Sequence, residues 1–249
     1  MIRQMFVRND DQADFRQRGK DISRIESFSD AVFGIAITLL VVTLTPITTF
    51  GGLMNVVQGL PAVGIEFAML ASIWLIQYRF FRRYGLQDRV TIALNMLLLF
   101  VVLAYVYPLH FMFSIVAFGT SNSLKGVIDA TQESQLFIIY GIGFSAVFII
   151  FTLMHMYAYQ QRDALELNDL EIFDTQTGII RNIALFAVGL FSVLIAISQI
   201  GSSFGLAGWV YASLFVIHWG IGMIRRRQRH AMQEQLQQGA PLPSATLAN

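Results

Sequence analysis

Six stretches of this chain are apolar and close to the ~20 residues that a helix needs to cross hydrocarbon. They cover residues 28–47, 60–78, 90–118, 136–159, 179–200 and 205–224. Lipid offers backbone N–H and C=O groups no partner, so a spanning segment must satisfy its own, as a helix does. No period-2 alternation runs through these stretches, which argues against a transmembrane β-barrel. The expected fold class is an all-α integral membrane protein with six transmembrane helices per subunit. Composition agrees. Charged residues make up 13% of the chain and hydrophobic ones 55%, whereas a soluble domain carries about 25% charged residues.

Orientation follows from the Lys and Arg residues, which concentrate on the cytoplasmic side of membrane proteins. Six fall before or at the start of the first stretch (Arg3, Arg8, Arg16, Arg18, Lys20, Arg24) and four in the second connection (Arg79, Arg82, Arg83, Arg89). Two flank the fourth connection (Arg162, Arg181) and four open the tail (Arg225, Arg226, Arg227, Arg229), leaving Lys125 alone on the other side. Both termini are therefore expected in the cytoplasm, with the protein a multi-pass resident of the cell membrane. Residues 1–22 read as a polar cytoplasmic arm without the apolar core of a signal peptide, residues 23–227 as one membrane domain, and residues 228–249 as a Gln-rich, disordered tail. The acidic connection 160–177 reads first as a solvated loop, with an amphipathic or extended linker as the alternative. The basic rim Arg79-Phe80-Phe81-Arg82-Arg83 reads first as a topology signal and second as a contact for anionic lipid.

Several function classes drop out. The chain has no cysteine, so it holds no disulfide, thiolate nucleophile or Cys-based metal site. It lacks G-x-S-x-G, H-E-x-x-H and the phosphate-binding G-x-x-x-x-G-K-[ST]. His110, His155 and His218 each lack a His or carboxylate at i+3 or i+4, the spacing that would place two ligands on one helix face. An enzyme, a metal site and a cofactor are not expected. Glu66 lies within the second stretch, where an acid is costly; it either carries a proton or joins a polar network, or simply bonds a neighbouring Ser, Asn or backbone group.

The first stretch combines two characters. Ser23 and Glu26 form an S-x-x-E capping box that starts a helix, with Ser27 and Asp30 as an alternative cap one turn later. Arg24 and Asp30 are six residues apart and point about 120° apart around a helix, so each needs a partner on another helix. Together they read as an inter-helix lock. Beyond them Ile35, Leu39 and Val42 fall at i, i+4 and i+7, one stripe that ordinarily marks helix packing. Thr38 borders the stripe, its hydroxyl available to the i−4 carbonyl, a neighbouring helix or an ion. Gly34 and Ala36 suit close helix approach, and Thr45-Pro46 ends the helix.

The run Arg24-x-x-x-Phe28-Ser29-Asp30, with Thr38 eight residues on and Pro46 eight more, resembles the signature of the transmembrane protein 175 family. These are the endolysosomal leak potassium channels, here in their prokaryotic single-repeat form. Trp74, Asn95 and Pro108 resemble later landmarks of the family. The resemblance implies a homotetramer in the bilayer with the first helix of each subunit lining a pore for potassium and other monovalent cations. It places the constriction at Ile35, Leu39 and Val42, a selectivity layer at Thr38, and a bracing motif at Arg24, Phe28, Ser29, Asp30, Trp74, Gln77 and Asn95. Gln77 stands where the family often has histidine; it can supply that side chain's hydrogen bonds but not its protonation. The chain has no TVGYG re-entrant filter loop, so a backbone-carbonyl filter of that kind is excluded, and a ring of four Ile35 side chains would gate by dewetting. The function expected is a potassium-permeable leak-type channel. The alternative is a secondary transporter using Asp30 or Glu66 as its coupling ion or proton site.

Overall fold

The computed structural model describes residues 15–42, 48–118, 130–198, 210–214 and, apart from 221, 226 and 230, 219–231. Five long helices account for most of them: α1 (Arg24–Val42), α2 (Phe50–Tyr84), α3 (Arg89–Phe118), α4 (Ala130–Gln160) and α5 (Asp169–Ser198). A 3-10 turn follows at Val210–Ala212. By length and composition, Phe50–Tyr84, Arg89–Phe113, Gln132–Gln160 and Asp169–Ser198 can each cross a membrane. The sixth expected span, 205–224, falls largely outside the described residues, as does the end of the first at 43–47.

The first three helices start for local reasons, and α2 also stops for one. α1 opens on the Ser23/Glu26 box: the Ser23 N–H donates to Glu26 Oε2 at 2.8 Å, and the Glu26 N–H donates to Ser23 Oγ at 3.3 Å. Ser27 instead donates its hydroxyl to Ser23 O, which settles the choice between the two caps. α2 is capped by Thr49, whose side chain accepts from the Gly52 N–H. It ends at Gly85, whose φ of 63° is the left-handed conformation that glycine adopts without Cβ strain. Asp88 begins α3 by accepting from the backbone of Val90 and Thr91 and from the Thr91 hydroxyl. Burial pushes its carboxyl up, but bonds from Thr91, Tyr157 and that backbone outweigh it and hold the group below the usual carboxylate range. At 35 residues α2 is about 52 Å long, so it extends beyond a ~30 Å hydrocarbon layer.

The helices pack in sequence around one apolar core. α4 and α5 form the most extensive pair, α3 lies against α4, and α1 rests on α2 and α3. Leu70, Leu98, Val102, Val106 and Phe151 are fully buried between them. Large apolar side chains on the other faces, such as Phe100, Leu97, Phe191 and Ile197, are exposed, as lipid-facing positions are.

Residues 15–23 are a strap across the end of the bundle where α2 finishes and α5 begins. Phe15 is buried edge-on against Tyr84, with ring centroids 5.6 Å apart. Arg18 forks onto Glu171, its Nη1 and Nη2 donating to Oε1 and Oε2 at 3.0 and 2.7 Å, while its Nε donates to Leu165 O at 2.7 Å. Glu171, inside the acidic connection read as solvated, is 1% exposed; it also accepts from the Arg16 and Asn168 N–H groups. Arg82 donates to Gly19 O and Lys20 O. The backbones are so close here that a Cβ on Gly19 would lie 2.6 Å from Phe81 O. The strap runs directly into α1.

Candidate functional site

α1 presents two faces. Ile25, Ser29, Val32, Phe33, Ala36 and Leu40 are buried against α2 and α3. Arg24, Ser27, Phe28, Ala31, Gly34, Ile35 and Thr38 lie along the opposite, exposed side, with Asp30 at its edge. Ile35 is 56% exposed and Phe28 51%. Leu39 is half-buried against the core, and the side chain of Val42 lies outside the described residues. Of the two described members of the stripe, Ile35 projects from the bundle and Leu39 does not, and Thr38 projects beside Ile35. The Thr38 hydroxyl donates to Gly34 O at 2.8 Å, which satisfies its proton within the helix while its exposed oxygen keeps the capacity to accept.

The buried face carries a polar chain that crosses three helices. Gln77 Nε2 donates to Asn95 Oδ1 at 2.9 Å, Asn95 Nδ2 donates to Ser29 Oγ at 2.9 Å, and Ser29 Oγ donates to Ile25 O at 2.7 Å. Ser29, Gln77 and Asn95 are each at most 2% exposed. Such a network ties helices together because breaking it strands buried polar groups. At the exposed edge of the same contact, Trp74 Nε1 donates to Asp30 Oδ1 at 2.7 Å, and the Trp74 ring stacks on Tyr78 at 5.6 Å.

Five of the seven residues expected to brace the first helix are thus brought together: Ser29, Asp30, Trp74, Gln77 and Asn95. Arg24 and Phe28 are not. Asp30 finds its partner on another helix, as its direction requires. Arg24 is exposed, and among the described residues it makes no ion pair. The expectation that Arg24, like Asp30, finds an ionic partner on another helix is not met among the described residues of one chain. Its position, immediately after the strap and on the exposed face, turns it outward.

Glu66 of α2 is fully buried, and its Oε2 is 3.1 Å from His110 Nδ1 of α3. Its partner is thus a histidine 44 residues on, in place of the Ser, Asn or backbone group that the sequence suggests. Glu66 Oε1 has no hydrogen bond among the described residues. The pair lies on the α2–α3 contact, apart from the exposed face of α1.

The comparisons with known proteins converge on one family. Residues 24–105 match the family described as endosomal/lysosomal potassium channel TMEM175. A protein of Marivirga tractuosa named potassium channel is 39% identical over 233 residues, spanning 88% of this chain and 94% of that one. A potassium channel of Streptomyces collinus is 33% identical over 91 residues, 34% of this chain and 44% of its own. The crystal structure of a variant of the potassium channel MtTMEM175, in complex with a nanobody–MBP fusion, aligns with a TM-score of 0.75 at 39% identity. That alignment covers 86% of this chain and 98% of the other. Near-complete coverage at this identity, with Ser29, Asp30, Trp74 and Asn95 in hydrogen-bonded contact, leads to one conclusion: the chain is a prokaryotic member of the TMEM175 family.

Proposed function

We propose that the protein is a potassium-permeable, leak-type channel, in which four copies of α1 surround a pore and Ile35 forms the principal constriction. Leu39 and Val42 extend that constriction, and Thr38 supplies an oxygen-lined layer beside it. Ser29, Asp30, Trp74, Gln77 and Asn95 brace each α1 from behind, while Arg24 and Phe28 face a neighbouring subunit. The supporting observation is the composition of the exposed face of α1. Arg24, Ser27 and Thr38 share it with small residues, Phe28 and Ile35, and Asp30 stands at its edge; ionised groups facing hydrocarbon are costly. A face like this suits a subunit contact or a water-filled lumen better than lipid. The names of the relatives, potassium channels in Marivirga and Streptomyces, favour the channel over the transporter alternative.

A hydrophobic ring at Ile35 would block ions by dewetting rather than by charge. Selectivity would come from the narrowness of that ring and from exposed oxygens such as that of Thr38, and should be modest. Potassium flux from reconstituted vesicles tests the proposal: the parent should pass potassium, and Ile35→Asn should pass more. If neither protein conducts under a potassium gradient, the channel reading fails.

A further inference from the structure

Six arginines gather where α2 ends and α5 begins, and they divide into two sets. Arg18 pairs with Glu171 at 2.7 Å, Arg229 with Asp174 at 3.2 Å, and Arg82 lies 3.8 Å from Glu26. Arg79, Arg83 and Arg181 have no carboxylate partner among the described residues. Arg83 lies only over the ring of Phe15, 4.9 Å from its centroid. The charges of Arg79 and Arg83 both act on Arg181. Glu171 and Asp174, which share the surroundings of Tyr84 with Arg83, are the carboxylates already held by Arg18 and Arg229.

The register of the two helices brings this second set to one level. Tyr84 Oη and Thr175 Oγ1 are hydrogen-bonded at 2.8 Å, while Leu185 shares a cleft with Met69, Ile73 and Ile76. α2 and α5 therefore run antiparallel. Arg181 lies six residues past Thr175, about 9 Å along the axis, and Arg79 lies five residues back from Tyr84. One turn farther into the bundle the two stripes continue: Ser72 and Ile76 stand at i−7 and i−3 from Arg79, and Leu185 at i+4 from Arg181, each on the arginine's own face. These residues, with Leu109, Phe144 and Phe148, line an apolar, partly open cleft of about 170 Å³.

We propose that this is a binding site for one anionic phospholipid, with its phosphate held by Arg79, Arg83 and Arg181 and an acyl chain laid in the cleft behind them. Three guanidinium groups without a counter-charge repel one another, and phosphate oxygens accept the forked hydrogen bonds that arginine offers. Basic pockets between transmembrane helices are places where anionic headgroups bind. An acyl chain already lies in hydrocarbon, so the cleft contributes packing rather than a hydrophobic gain. Discrimination therefore resides in the headgroup: phosphatidylglycerol brings an uncompensated phosphate, whereas phosphatidylcholine brings a cation with it. The proposal holds whether or not the chain conducts ions.

The test uses the full-length protein in detergent, with phosphatidylglycerol or phosphatidylcholine added in mixed micelles, reading the melting temperature and the lipid retained in native mass spectrometry. Phosphatidylglycerol should be retained about tenfold more tightly, a difference of about 1.4 kcal/mol, and should raise the melting temperature. Arg181→Gln should lower that preference, and Leu185→Trp, which fills the cleft and leaves the arginines in place, should weaken retention. Should Arg181→Gln fail to assemble, the contrast between the two lipids on the parent protein still decides. Equal retention of both lipids would overturn the proposal. So would equal protection by inorganic phosphate, which would make this a site for free anions. Dissociation of the oligomer in Arg181→Gln with an unchanged lipid preference would overturn it too, by assigning the arginines to a partner subunit.

Discussion

Asn95→Leu measures how firmly the first helix is braced. Asn95 accepts from Gln77 Nε2 and donates to Ser29 Oγ, both at 2.9 Å. Hydrogen bonds between membrane helices average about 0.6 kcal/mol, so losing two removes about 1.2 kcal/mol. Ser29 remains satisfied because its hydroxyl still donates to Ile25 O. Gln77 does not: it is 2% exposed, and a buried donor left without an acceptor costs about 1–3 kcal/mol. The expected loss is about 2–4 kcal/mol. Adding Gln77→Leu removes the stranded amide and should restore most of the second contribution, leaving the double variant more stable than Asn95→Leu alone. Denaturant unfolding in mixed micelles, followed by tryptophan fluorescence, measures both. A single-variant loss below about 0.5 kcal/mol, or a double variant equal to the sum of the two singles, would refute the reasoning.

Three other substitutions separate the parts of the structure. Arg18→Met strips the buried Glu171 carboxylate of its only guanidinium among the described residues and should cost about 3 kcal/mol; trypsin should then cleave at Lys20 faster than in the parent. Gly19→Ala would set a Cβ 2.6 Å from Phe81 O, so it should lift the strap and produce the same protease sensitivity with every charge intact. Thr38→Ala removes only an exposed hydroxyl bonded to its own helix, so thermal stability and oligomer size should hold while the potassium-to-sodium flux ratio changes.

The chain is legible from its sequence to different depths. The start of α1 was legible because a capping box is local: both of its bonds span three residues. The divergence of Arg24 and Asp30 correctly sent Asp30 to another helix, since the angle follows from the helical repeat alone. The chain Gln77–Asn95–Ser29 was reached only through family resemblance, because nothing local aims an amide of α3 at a serine of α1. Glu66 and His110, 44 residues apart, and Arg18 and Glu171, 153 apart, carry no local signal at all. Each pairing depends on helix packing that periodicity does not determine. The strap is hidden in the sequence for the same reason. Its sequence is polar, and only its docking reveals that Phe15 is buried and that Gly19 touches backbone. The stripe Ile35–Leu39–Val42 illustrates a subtler limit, since spacing defines a stripe without saying which of its edges turns outward. Ile35 does, and Leu39 leans toward the core.

The central claim is that the exposed face of α1 lines the ion path, and the chain is well suited to testing it because it contains no cysteine. In Ile35→Cys, sulfurs from neighbouring subunits would converge on the pore axis and form a soft site for cadmium. Potassium flux through Ile35→Cys should then be blocked by cadmium, while the parent and Phe100→Cys, whose side chain is 69% exposed on α3, should be unaffected. Flux through Ile35→Cys that ignores cadmium, alongside block of Phe100→Cys, would place the ion path elsewhere and contradict the account.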